Sequence, residues 1–244
     1  MVIYHKVNNK PRPSGRRGGQ IVNRIKANGK EVYDMLAKHL TINENEFSPM
    51  IALNKNKNPF SILVSIILSQ NTTDKNAIRA YNNLYEKTKL DINNIMNLSV
   101  DELSEIIRVA GLPKQKSRSI IELAKFIKGK GEQYLIEKDP LELKKELMEI
   151  PGIGEKTCDV FLSFFREFPV FPVDTHIKRI ALRWGLSDKK SYKDISNALM
   201  DFFGKELSRN AHKLMITFGR SYCKSKKPRC HECFLKEICP SAQV

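Results

Sequence analysis

The chain has 244 residues, of which 42 are Lys or Arg and 27 are Asp or Glu, giving a formal net charge of +15. That length can enclose a sizeable core, in one domain or in two closely packed lobes. No apolar run reaches membrane-spanning length and no signal-peptide core follows the N-terminus, so neither a membrane-embedded nor a secreted protein is expected. The charge suits a polyanionic partner, although by itself it fits a ribosomal or membrane-surface protein equally well.

Residues 1–30 contain eight Lys or Arg, no Asp or Glu, and Pro11, Pro13, Gly15, Gly18 and Gly19. Such a segment cannot bury enough apolar surface to order itself, and it reads as a flexible basic arm adding salt-sensitive affinity for a polyanion. A transit peptide is the competing reading, but the segment has no apolar helical face. Glu31 to Leu40 reads as a short helix, followed by a polar connection ending near Pro59. Phe60 to Ser69 is almost wholly apolar. Its Ile and Val would permit a buried strand, but its length and helical surroundings favour a central helix. Leu68 to Asp74 then clusters amides and hydroxyls in a turn.

Ser99 and Glu102 form a capping-box pattern before Leu103, Ile106, Ile107 and Ala110. Gly111-Leu112-Pro113-Lys114-Gln115-Lys116 is a loop. Helical stripes recur at Ile120, Leu123, Ala124 and Ile127, and at Ile195, Ala198, Leu199 and Phe202. No segment alternates with period two, so the fold class is all-α.

The stretch Leu147 to His176 concentrates the chemistry. Pro151 cannot continue a helix, and Gly152 and Gly154 both tolerate positive φ, so Pro151-Gly152-Ile153-Gly154 reads as a tight hairpin. A helix opening at Glu155 has unpaired N-terminal amides and a positive dipole end, so hairpin and helix start can seat a phosphate without reading sequence. An ordinary helix–turn–helix corner fits the same four residues. Lys156 lies in that helix's first turn, where the dipole disfavours an ammonium; with partial desolvation it becomes a candidate amine nucleophile. A solvated lysine is the plainer reading in so basic a chain. Asp174 precedes the amphipathic run Ile177, Ile180, Ala181 and Trp184 and is expected as its N-cap, a rigid carboxylate able to face developing positive charge. His176 is expected to pack locally.

Cys223, Cys230, Cys233 and Cys239 give C-x6-C-x2-C-x5-C, four thiols within seventeen residues. Without secretory features they read as a metal centre rather than disulfides, and spacing alone admits zinc or a [4Fe–4S] cluster. Cys158 reads as a core residue. Lys226, Lys227 and Arg229, in a loop pinned at both ends by such a centre, are expected to contact phosphates.

The run IPGIGEKT, followed eighteen positions after its lysine by the Asp of VDTH, and the four-cysteine spacing resemble the endonuclease III family of helix–hairpin–helix DNA glycosylases/AP lyases, over about Pro59 to Cys239. The resemblance implies a [4Fe–4S] cluster on the four cysteines, Lys156 as the nucleophile at the sugar C1′, and Asp174 as its assistant. It also implies that Gln70 or Asn71 fills the gap left by a flipped base and that Leu112 wedges the opposite strand. The implied architecture is a helical barrel lobe over residues 57–167, carrying the helix–hairpin–helix. A second lobe, over 31–56 and 168–244, holds the cluster, with the active site between them. The implied activity is excision of oxidised pyrimidines in base excision repair, through a Lys156 Schiff base and β-elimination.

The expected partner is double-stranded DNA with a damaged base or abasic site. The protein is expected to be a monomer without a membrane, cytoplasmic or nucleoid-associated, or in the nucleus or mitochondrion of a eukaryote. Two alternatives remain: a monofunctional mismatch or alkylated-base glycosylase on the same fold, and a non-catalytic helix–hairpin–helix module with a structural metal. The first generally lacks the lysine, and the second has no use for Lys156 and Asp174 together.

Overall fold

A computed structural model describes residues 24–43, 52 and 58–243, and among them every regular element is a helix. Helix α1 (Gly29–His39) opens on a capping box: the Asn28 side chain accepts the Glu31 N–H at 2.9 Å, and the Glu31 carboxylate accepts the Asn28 N–H at 2.8 Å. Just ahead of it Ile25 is buried and donates its N–H to the Trp184 carbonyl at 2.9 Å, while Lys26 donates to Ile238 at 3.0 Å. Ile25 and Lys26, which fall in the stretch expected as a basic arm, are thus held against the body of the protein by an apolar anchor and two backbone bonds. Residues 1–23 lie outside the described residues.

The apolar run becomes α2 (Pro59–Ser69), capped by the Asn58 side chain and buried continuously from Pro59 to Leu68. A helix buried on all faces needs no amphipathic stripe, which is why its sequence shows none. Around it pack α3 (Asp74–Thr88), α6 (Pro113–Lys130) and α9 (Glu155–Phe164). Between these run α4 (Ile92–Met96), α5 (Val100–Ile107) with the expected Ser99–Glu102 capping box, a 3-10 turn at Arg108–Ala110, α7 (Tyr134–Glu137) and α8 (Pro140–Met148).

A second hydrophobic core forms from α1, α10 (Thr175–Arg183), α11 (Tyr192–Ser221) and Leu235. Helix α11 bends at Gly204, whose φ of 74° lies in the left-handed region that favours glycine. Gly29 sits so close to this helix that a Cβ there would fall 1.8 Å from the Phe202 carbonyl oxygen. The first core spans residues from Ala52 to Leu162 around α2, and the chain passes from one core to the other between α9 and Phe171. No helix among the described residues is long and apolar enough to cross a membrane.

Candidate active site and cluster site

Helix α8 ends at Met148, and the chain reverses through Pro151–Gly154 into α9. Gly152 has φ 86°, and a Cβ there would lie 2.2 Å from Ser119 Oγ, so both conformation and space demand glycine. Ser119 fixes the turn by donating to the Pro151 carbonyl at 2.6 Å. Gly154, free to take either sign of φ, is extended, at φ −107° and ψ −179°, as the N-cap of α9. The reversal is completed at Gly152 alone, and the missing Cβ at Gly154 instead leaves the helix start uncovered, with nothing within 4 Å of that position and no side-chain cap. Ile153 turns inward, 3% exposed, and spends its N–H on the Ile150 carbonyl at 3.0 Å. Its side chain anchors the hairpin in the first core, so of the four hairpin residues Pro151, Gly152 and Gly154 are exposed and Ile153 is not.

A cavity of about 620 Å³ opens beside this hairpin, and Lys156 and Asp174 both line it. Lys156 comes from the first turn of α9. Asp174 comes from the other side, as the N-cap of α10, its Oδ1 accepting the Ile177 N–H at 2.7 Å, as the sequence suggests. His176 packs locally: its Nδ1 accepts from Arg179 Nη2 at 3.1 Å, and its Cβ lies 2.9 Å from where a Cβ at Gly219 would fall. Gln70 donates from Nε2 to the Gly152 carbonyl and to Thr157 Oγ1, both at 3.0 Å, tying the turn after α2 to the hairpin. Asn71 is exposed and left-handed, at φ 50°. Across the mouth, Arg220 pairs with Asp74 at 2.7 Å.

Several polar groups here escape a reading of the sequence. Asp159, one turn after Lys156, is 1% exposed and pairs with Lys144 at 2.8 Å; burial raises its carboxyl above the ordinary range. The Tyr192 hydroxyl faces that carboxylate and accepts the Val173 N–H at 3.1 Å, one residue before Asp174; burial, then Asp159, raises its phenol. His212 is wholly buried in the cavity wall, and burial lowers its imidazole to about 4. Lys116 is 2% exposed and donates to the Leu68 carbonyl at 2.9 Å and the Ala110 carbonyl at 2.7 Å; burial lowers its ammonium to about 8. Lys116 ends the stretch read as a loop, which in fact opens α6 at Pro113, and Asp159 lies in the stretch around Lys156, but no pattern marks any of the four, and only tertiary packing makes them special. Leu112, by contrast, is a 51% exposed leucine with φ 49° at the start of α6, an apolar side chain held outward on a left-handed backbone.

The four cysteines line one cavity of about 240 Å³ together with Arg183, Arg229 and Lys236. Four thiols gathered around one cavity can hold either a single tetrahedral zinc or a polynuclear iron–sulfur centre. Arg183 donates from Nη1 to Cys223 Sγ at 3.2 Å and to the Lys224 carbonyl at 2.7 Å, suiting an anionic thiolate-bound group and fixing the basic loop. Lys226 and Lys227 on that loop are exposed, whereas Arg229 is engaged by the Glu232 carboxylate and the Tyr222 ring. Cys158 lies apart in the first core, its thiol pushed up to about 12 by burial.

Residues 64–205 match the HhH-GPD superfamily of base excision DNA repair proteins, and residues 223–239 match the iron–sulfur binding domain of endonuclease III. Endonuclease III of Sulfolobus acidocaldarius is 36% identical over 211 residues, covering 86% of this chain and 94% of that protein. Endonuclease III of Bacillus subtilis is 33% identical, covering 76% and 83%. Among solved structures, a trapped covalent endonuclease III–DNA intermediate superposes with a TM-score of 0.70 at 27% identity, covering 88% of this chain and 97% of that one. A non-covalent endonuclease III–DNA complex gives 0.71 at 29%, covering 87% and 94%. The fold and the site thus define a base excision DNA repair glycosylase. Within that class, the chain belongs to the endonuclease III family of helix–hairpin–helix DNA glycosylases/AP lyases, and its cofactor is a [4Fe–4S] cluster.

Proposed function

We propose that this protein is a bifunctional DNA glycosylase and AP lyase that removes oxidised pyrimidines from double-stranded DNA and cleaves the abasic sites so formed. The observation that carries the reading is that Lys156 and Asp174, from helix starts on opposite sides of one cleft, line the same cavity. The damaged nucleotide turns out of the duplex into that cavity. The Asp174 carboxylate, held by its N-cap bond, stabilises the positive charge that develops on the sugar as the glycosidic bond lengthens. Lys156 Nζ adds at C1′ and the base departs with the bonding electrons. Loss of a proton from nitrogen and opening of the sugar ring give the Schiff base. Removal of a C2′ proton then expels the 3′ phosphate by β-elimination, and water releases the lysine.

Gly152, Gly154 and the uncapped start of α9 seat a backbone phosphate, to which Ile153 contributes by anchoring the turn. Asn71, exposed where Gln70 is already committed to the hairpin, fills the gap in the duplex, and Leu112 wedges the opposite strand. Cys223, Cys230, Cys233 and Cys239 hold the cluster, which organises the loop carrying Lys226 and Lys227 for further phosphate contacts and takes no part in bond breaking. In this reading residues 57–167 are the barrel lobe, 31–56 and 168–244 the cluster lobe, and a monomer suffices for activity.

The test is a duplex carrying a single thymine glycol, incubated with excess protein. Free base together with the β-elimination product is expected. Base release that needs added alkali for strand scission would instead indicate a monofunctional glycosylase.

A further inference from the structure

We infer that His212 reads the everted base, contacting its edge from the cavity wall beside Lys156 and Asp174. The inference rests on the glycosylase reading of the cleft. His212 is 4% exposed, and neither of its ring nitrogens has a hydrogen-bond partner among the described residues. Phe164 and Phe171 pack against the ring at steep interplanar angles, with centroids 5.4 and 5.8 Å away, while its two nitrogens are left unsatisfied. An orphaned buried imidazole is unfavourable, and one in the wall of a binding cavity is matched when a ligand supplies the partner.

Three other polar side chains lining the cavity are already engaged. Ser69 donates its hydroxyl to the Ile66 carbonyl, Gln70 holds the hairpin, and the Tyr192 hydroxyl accepts from Val173. Burial keeps the imidazole uncharged, so it adds no positive charge beside the Lys156 amine and offers one N–H and one lone pair. That pairing suits a uracil-like ring. In oxidised or ring-saturated thymine the N3–H stands between two carbonyls, so either tautomer of the imidazole finds a complementary group. Saturation of the 5,6 bond destroys stacking but leaves this edge intact. His212 therefore recognises what the lesion keeps, while poor stacking makes the lesion easy to extrude.

The experiment compares two duplexes under single-turnover conditions, one with a thymine glycol and one with a preformed abasic site, which has no base to contact. His212→Phe keeps the ring shape between Phe164 and Phe171 and removes both nitrogens. It should slow base excision by about 10- to 100-fold, yet leave strand cleavage at the abasic site within about twofold of the parent. His212→Gln, which restores a donor and an acceptor, should recover part of the excision rate. Equal losses on both duplexes would mean a purely structural role and would overturn the inference, as would an unchanged excision rate in His212→Phe. Failure of the parent protein on both duplexes would overturn the activity itself, and this inference with it.

Discussion

Lys116 is the fourth residue of α6, yet its ammonium is buried, reaching the carbonyls that end α2 and the 3-10 turn before Gly111. One side chain thereby ties the turn carrying Gln70 and Asn71 to the loop carrying Leu112, the two stretches assigned to opposite strands of the duplex. Lys116→Met keeps the bulk but leaves both carbonyls without their donor, and should cost about 2 kcal/mol, measured by urea unfolding, with weaker binding to a non-cleavable abasic duplex. His212 supplies a pH signature. Its imidazole falls from the ordinary 6.5 to about 4 in the fold, so the unfolded chain binds more protons between those values. The stability it contributes is fully present above pH 6.5 and is lost as pH falls toward 4. His212→Phe should remove up to about 3 kcal/mol of that acid sensitivity, read as a flatter unfolding free energy between pH 6.5 and 4.

Asp174 shows how one helix start serves two ends. As N-cap of α10 it satisfies the Ile177 amide, and as a carboxylate it faces the cavity. Asparagine is an equally good cap, so Asp174→Asn should change stability by less than about 0.5 kcal/mol while slowing base excision by about 100-fold or more. Asp174→Ala should lose about 1 kcal/mol in addition. Both are checked by pairing thermal unfolding with single-turnover excision. This element is legible in the sequence because capping and amphipathic spacing are local, and the same holds for α2 and the Ser99–Glu102 box. The conformation of Gly154 is not legible in the sequence, because a glycine in a tight turn is compatible with either sign of φ, and only the packed turn decides. Lys116, Asp159, Tyr192 and His212 are not legible at all: each gains its character from burial against elements distant in the chain, which no local pattern encodes.

At the scale of the molecule, the net charge of +15 and the exposed Lys226 and Lys227 on the cysteine-bounded loop predict strongly salt-dependent DNA binding. The double substitution Lys226→Ala with Lys227→Ala should weaken binding of damaged and undamaged duplexes alike and lower the slope of log Kd against log salt by about 2. Loss of the cluster should act similarly, because Arg183 and the four thiols hold that loop, while leaving the Lys156 helix start in place.

The proposed chemistry requires the Lys156 amine to join covalently to the sugar. The most direct measurement is borohydride reduction during reaction with a duplex carrying one thymine glycol, comparing the parent protein with Lys156→Ala. A stable protein–DNA adduct is expected for the parent, mapped by mass spectrometry to Lys156, and none for the variant. An adduct of equal yield with Lys156→Ala, or base release by the parent without any adduct, would contradict this chemistry.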